Sequence, residues 1–139
     1  MLMTMNTGFK PTLSLQSKAA QNTFAGTHRI ITTEKATPEN KAEFVQDHEE
    51  YTKLLFAHLI ANPANQFEQQ PNAGFSLTAQ TQEGLLRISH RVIEDEGCLA
   101  SEYQVDGEKA AVNCYDPVFS QIFSELAAEV PDTRYRFTA

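Results

Sequence analysis

FSLTAQ (75–80), LLRISHRVI (85–93), CLASEYQV (98–105) and EKAAVNC (108–114) are the segments whose reading decides the fold. Each is short and rich in β-formers. Between them lie TQEG, EDEG and DG, turn signals that carry glycine at their ends. Counting TQEG and EDEG as four-residue loops sets Gln80 opposite Leu85 and Ile93 opposite Cys98. The two-residue Asp106-Gly107 turn then sets Val105 opposite Glu108.

With that register Phe75, Leu77, Ala79, Leu86, Ile88, His90 and Val92 face one side. Leu99, Ser101, Tyr103, Val105, Ala110, Val112 and Cys114 join them. A slip of one residue would turn every one of these to the other face, so three separate loop lengths agree on one apolar side. Arg87, Ser89, Arg91, Glu102, Gln104 and Lys109 form the opposite, solvated side, with Arg87 and Arg91 flanking Glu102. Cys98 and Cys114 fall on opposite faces, too badly oriented for a disulfide. Two free thiols point to a reducing compartment.

Helices flank this meander. Thr37-Pro38 is an N-cap followed by proline at the first helical position, and Asn62-Pro63 stops the chain. A long helix is therefore predicted from about Pro38 to Ala61. At 100° per residue its apolar stripe reads Phe44, Tyr51, Leu54, Leu55 and Leu59, with His48 and His58 inside it. Asp116-Pro117 repeats the start signal, and Val118, Phe119, Ile122, Phe123 and Leu126 predict a second helix to about Val130. HRIITT (28–33) reads as a first strand. Residues 62–74 read as a polar loop anchored by Phe67. RYRFT (134–138) reads as an edge strand or a docking tail.

The resulting fold class is α+β: a four-stranded antiparallel meander with a long N-terminal helix and a C-terminal helix on one face. The order strand, long helix, meander resembles the cystatin-like layout. That resemblance is one of topology. Thr81–Gly84 lacks the QxVxG pattern of the protease-inhibiting members, so it carries over no inhibitory residues.

The chain has 139 residues and a net charge of −7. Residues 1–27 read as a loosely docked arm and 28–139 as a single domain. The charge is uneven. Residues 1–33 hold Lys10, Lys18 and Arg29 and no acid, a charge of +3, so residues 34–139 carry −10 and the chain −7. An acidic body disfavours nucleic acid and anionic membrane as partners. MLMTMNTGFK lacks the apolar core of a secretory signal, which favours a cytoplasmic location. The acid-free, Ser/Thr-rich residues 1–27 alternatively read as the leader of a translocated effector.

Candidate chemistry centres on four histidines. His48 and His58 lie ten residues apart on one helix, roughly 15 Å, and cannot share an ion. No HExxH or CxxC occurs, so no metal site and no cofactor is predicted. Ser101 beside His90 is a conceivable nucleophile pair, but no glycine elbow accompanies it and no catalytic residue is assigned. If helix and sheet splay apart, His90, Ser101, Tyr103, Tyr51 and His48 or His58 would line a ligand cleft with apolar walls and few polar anchors. Two function classes follow: a small acidic binding or adaptor domain working through a protein partner or self-association as a homodimer, and a small-molecule pocket around His90.

Overall fold

The computed structural model describes residues 24–70, 73–130 and 132–139. The chain runs β1 (Gly26–Lys35), α1 (Pro38–Leu55), α2 (Ala57–Ile60), β2 (Gln66–Gln70), β3 (Gly74–Thr81), β4 (Gly84–Asp95), β5 (Cys98–Gly107), α3 (Lys109–Cys114), α4 (Asp116–Glu129) and β6 (Arg134–Thr138). The fold is α+β with an antiparallel sheet. That sheet has six strands, not four, in the order β2-β3-β4-β5-β1-β6. The leader reading of the N-terminal arm falls largely on residues 1–23, outside the described residues. Phe24 is already core, and β1 starts at Gly26, two residues before the expected strand.

The β3–β4 register is as the loop count predicts, with Gln80 opposite Leu85 and Phe75 opposite His90. The β4–β5 register is shifted by two residues. Asp95, not Ile93, pairs with Cys98, and His90 pairs with Tyr103 instead of Ser101. Glu96 and Gly97 alone form the turn, with φ of 55° and 81°, the left-handed pair of a tight hairpin. Glu94 and Asp95, poor strand formers, stay in the ladder. Arg29 and Arg136 reach across β5 from β1 and β6 to hold the Asp95 carboxylate. Because the shift is two residues, the apolar face survives it.

The fourth meander strand does not exist. EKAAVNC forms the helix α3, and β1 takes the place beside β5. Gly107 explains the departure. At φ 127° it crosses Leu85 so closely that a Cβ there would sit 2.2 Å from the Leu85 carbonyl oxygen. Glu108 N–H then donates to that same carbonyl at 2.8 Å, and the Glu108 carboxylate accepts from Leu85 N–H at 2.9 Å. With its edge hydrogen bonds capped, the chain turns off the sheet into an Ala-rich helical turn. Ala111 and Val112, neighbours in sequence, are both buried, while Ala110 and Cys114 are exposed. Cys98 and Cys114 are both free.

α1 begins as its sequence requires. Asn40 N–H donates to Thr37 Oγ1 and Thr37 N–H to Asn40 Oδ1, a reciprocal cap. The expected helix to Ala61 breaks at Phe56, whose ψ of 24° ends α1 before the four-residue α2. Its buried stripe is Phe44, Val45, His48 and Thr52, continued by Phe56 and Leu59. Leu54, expected in the stripe, is 73% exposed. Phe44, His48 and Leu59 of the expected stripe are buried and Tyr51 and Leu55 pack against the core, while Val45, Thr52 and Phe56 extend the buried face to the other flank. The loop expected at 62–74 contains the edge strand β2, and RYRFT is the opposite edge, β6.

Helices and sheet enclose one principal core of Phe24, Ile30, Phe56, Phe75, Leu77, Leu86, Ile88, Tyr103, Val105, Val112, Phe119 and Phe123 with their neighbours. A smaller cluster of Phe44, Val45, Val92 and Leu99 closes the far end. Among the described residues no helix is long and apolar enough to cross a membrane.

Candidate functional site

Strand pairing places one aromatic or imidazole ring at the same level on five consecutive strands. Phe75 faces His90, His90 faces Tyr103, Tyr103 faces His28, and His28 faces Phe137. All five point to the helix-covered side. Neighbouring ring centroids lie 5.4 Å apart for Phe75–His90, 4.5 Å for His90–Tyr103 and 4.7 Å for His28–Phe137. From above, α1 lays His48 on His90, the rings stacked at 4.7 Å, and α4 sets Phe123 edge-on to Tyr103 at 5.3 Å. Cross-strand aromatic pairs of this kind stabilise a sheet and tie it to its cover.

The polar atoms in this layer are sealed. His48 is 3% exposed, His90 2%, Ser101 0% and Tyr103 1%. His48 Nδ1 meets the Phe44 carbonyl one turn back; since a carbonyl only accepts, Nδ1 carries the proton and Nε2 presents a lone pair. That Nε2 has no hydrogen-bond partner. His90 Nε2 bonds Ser101 Oγ at 2.6 Å, and its Nδ1 is also unpartnered. Burial pushes His48 down to about 4, and burial followed by the His48 charge lowers His90 well below the usual histidine value. Both rings are neutral at neutral pH.

As a catalytic pair, Ser101 and His90 lack what nucleophilic catalysis needs. No carboxylate orients His90 Nδ1, and neither side chain reaches solvent. The Tyr103 hydroxyl has its acidity suppressed by burial; Thr52 lies beside it and works the other way, but neither hydroxyl makes a well-formed hydrogen bond. Tyr103→Phe is therefore expected to leave stability unchanged or raise it by up to about 1 kcal/mol, measured by urea unfolding. A loss of stability would mean that this hydroxyl is bonded in solution.

The expected site residues thus divide. His48, His90, Ser101 and Tyr103 converge, and Tyr51 borders the same seam from α1. His58 does not join them; it lies exposed on α2, its Nε2 2.9 Å from the Tyr115 hydroxyl. His28 was absent from the expected set because β1 had no assigned neighbours. It is fully buried, its Nε2 bonds the Phe24 carbonyl at 2.6 Å, and its Nδ1 meets the Tyr135 hydroxyl of β6. With Nε2–H donating and Nδ1 accepting, His28 is a structural clamp between the start of the domain and its last strand. Among the described residues no three His, Cys, Asp or Glu side chains are grouped to hold a metal ion.

The opposite face carries charge in place of rings. Arg91 on β4, Glu102 on β5, Arg29 on β1 and Arg136 on β6 lie in one cross-strand row, with Asp95 at the end of β4. Arg29 joins Glu102 at 2.5 Å and Asp95 at 2.9 Å; Arg91 adds a second bond to Glu102 at 2.6 Å. Glu102 is 3% exposed under these guanidinium groups. The expectation of a solvated face with Glu102 between Arg87 and Arg91 therefore needs correction. Arg87 pairs with Asp106 instead, because the two-residue register shift moves Glu102 out of its reach.

Compared with known proteins, the chain matches no family model, no curated protein and no solved structure.

Proposed function

We propose that this chain is a non-enzymatic, acidic binding domain acting through contact with a protein partner or a second copy of itself. The observation that carries this reading is the closed seam over His90. Among the described residues the His48, His90, Ser101 and Tyr103 side chains are packed as a core layer and almost fully buried. The surface offers interaction features instead. Among the described residues β2 is an outermost strand of the sheet, and it turns Gln66, Glu68 and Gln70 to solvent. Such an edge accepts a further strand through main-chain hydrogen bonds. A reducing, cytoplasmic setting suits the two free thiols.

A small-molecule site around His90 would require α1 to lift from the sheet and break the His48–His90 stack. The two classes are separated by one set of measurements on the full chain. Light scattering across a wide concentration range, with cross-linking to a purified candidate partner, is expected to show an assembly that Gln69→Pro in the edge strand abolishes. Turnover of any substrate that Ser101→Ala removes would overturn the proposal.

A further inference from the structure

All five arginines of the chain, Arg29, Arg87, Arg91, Arg134 and Arg136, stand on the face of the sheet opposite the helices. Arg29, Arg91 and Arg136 share two nearly buried carboxylates, Glu102 and Asp95, so this network holds one more cation than anion. Arg91 is where the surplus is accessible. Its side chain is 64% exposed, yet its Nε donates to Glu102 Oε1 at 2.6 Å, and Arg29 holds Oε2 of the same carboxylate. A guanidinium fixed through Nε keeps its two Nη groups as a fork, the geometry that takes a carboxylate with two parallel bonds. Among the described residues neither Nη of Arg91 has a partner.

A pocket of about 300 Å³ opens on this face, at the lower end of the about 300–1,000 Å³ that ligand sites span. Its lining includes Gln70, Ser76, Ser89, Arg91, Glu102 and Gln104. Strand register accounts for that lining. Ser76 pairs with Ser89 and Ser89 with Gln104, so these side chains rise side by side on strands about 4.8 Å apart. Arg91 and Glu102 pair with each other in the next row. Gly74, opposite Arg91 on β3, adds no side chain to fill the hollow, and a Cβ there would sit 1.9 Å from the His90 carbonyl oxygen. Among the described residues the side chains of Gln70, Ser76, Ser89 and Gln104 make no hydrogen bond. Glu68, the next residue of the serine row on β2, is not part of the lining, so the charge at the pocket is that of the arginine network.

We propose that this pocket binds a carboxylate, seated on the Arg91 Nη fork, with further polar groups of the same ligand against Ser76, Ser89 and Gln104. The single surplus charge suits a monoanion. Two sources share this chemistry: a small hydroxylated acid, and an aspartate or glutamate side chain of a polypeptide. The inference does not rest on the proposed function, because a carboxylate seats here whether or not β2 takes up a further strand.

The test is a titration of the full chain at constant ionic strength, followed by amide and arginine Nε NMR, with D-glucuronate and, separately, a blocked alanine–glutamate–alanine tripeptide. Saturable shifts at Ser76, Ser89, Arg91 and Gln104 are expected. R91M should weaken binding at least about tenfold, as the loss of a two-pronged charged contact does. R91K, which keeps the charge on Glu102 but not the fork, should weaken it about threefold or more. R87M removes an arginine of the same face outside the pocket and should leave affinity unchanged. Tighter binding of glucuronate identifies a small acid as the occupant, and tighter binding of the tripeptide identifies an acidic side chain. The uncharged counterparts, glucuronamide and the glutamine tripeptide, are expected to leave the spectrum unmoved. The proposal is overturned by the absence of saturable shifts with both acids, by equal shifts with the uncharged counterparts, by undiminished affinity in folded R91M or R91K, or by an equal loss in R87M.

Discussion

Acidification from pH 7 to pH 4 is expected to remove about 3 kcal/mol of folding stability through His48 alone, with a further loss from His90. In the folded protein His48 titrates at about 4, against 6.5 for an unperturbed histidine. Above 6.5 the ring is neutral in both states and contributes no pH dependence. Between 6.5 and about 4 the unfolded chain holds a proton that the folded chain excludes, so stability falls as pH falls. The slope is about 1.4 kcal/mol per pH unit, flattening once the folded ring also protonates. His90 acts in the same direction, because burial and then the His48 charge depress it too. Glu102 adds its loss lower down: Arg29 and Arg91 outweigh the cost of its burial and hold it below the usual carboxylate value, so its stabilisation fades only as pH falls through that value. Asp116, half-buried, and Glu129, exposed, have values raised first by burial and oppose the trend. Urea unfolding at half-unit intervals checks this, with His48→Phe expected to flatten the upper part of the curve. A stability that stays constant from pH 7 to 5 would show that the stacked pair is hydrated and not sealed.

Arg29→Met is expected to cost about 2–3 kcal/mol. This guanidinium bridges two nearly buried carboxylates on β4 and β5 from its place on β1. Removing one member of a buried ion pair commonly costs about 3–5 kcal/mol, because the stranded charge has lost its solvation. The figure here is reduced because Arg91 stays on Glu102 and Arg136 stays near Asp95. Methionine retains much of the aliphatic stem, so the change reports charge more than packing. Arg87→Met, which breaks the exposed pair with Asp106, should by contrast change stability by less than about 1 kcal/mol. Equal effects from the two substitutions would mean that the Glu102 network is no better shielded than an ordinary surface pair.

Both results depend on contacts that were only partly legible in the chain. The apolar parity of β3, β4 and β5 was legible because alternation has a period of two, and a register error of two residues leaves it intact. The same error hid the partners. His90 was placed opposite Ser101, and the Phe75–His90–Tyr103–His28–Phe137 row could not be seen. The Ser101 contact survives as a diagonal hydrogen bond, so the cluster was recovered with one of its pairings wrong. His28 and Arg29 were missed as functional or structural centres for a different reason. Their neighbours lie on β5 and β6, about seventy to more than a hundred residues away, and no local pattern encodes that pairing.

By itself the sequence determined what is local: the Thr37-Pro38 and Asp116-Pro117 helix starts, the inward face of the central strands and the outward charge of the body. These follow from side-chain chemistry acting over a few residues. Tertiary structure decided which strand lies beside β5, that residues 109–114 coil into a helix, and that the imidazole layer is closed while a polar pocket opens on the other face of the sheet. The physical reason is that strand pairing and burial are set by competition among distant segments for the same hydrogen bonds and the same apolar surface. β1 wins the edge of β5 because Gly107 and Glu108 have already turned the chain away from it.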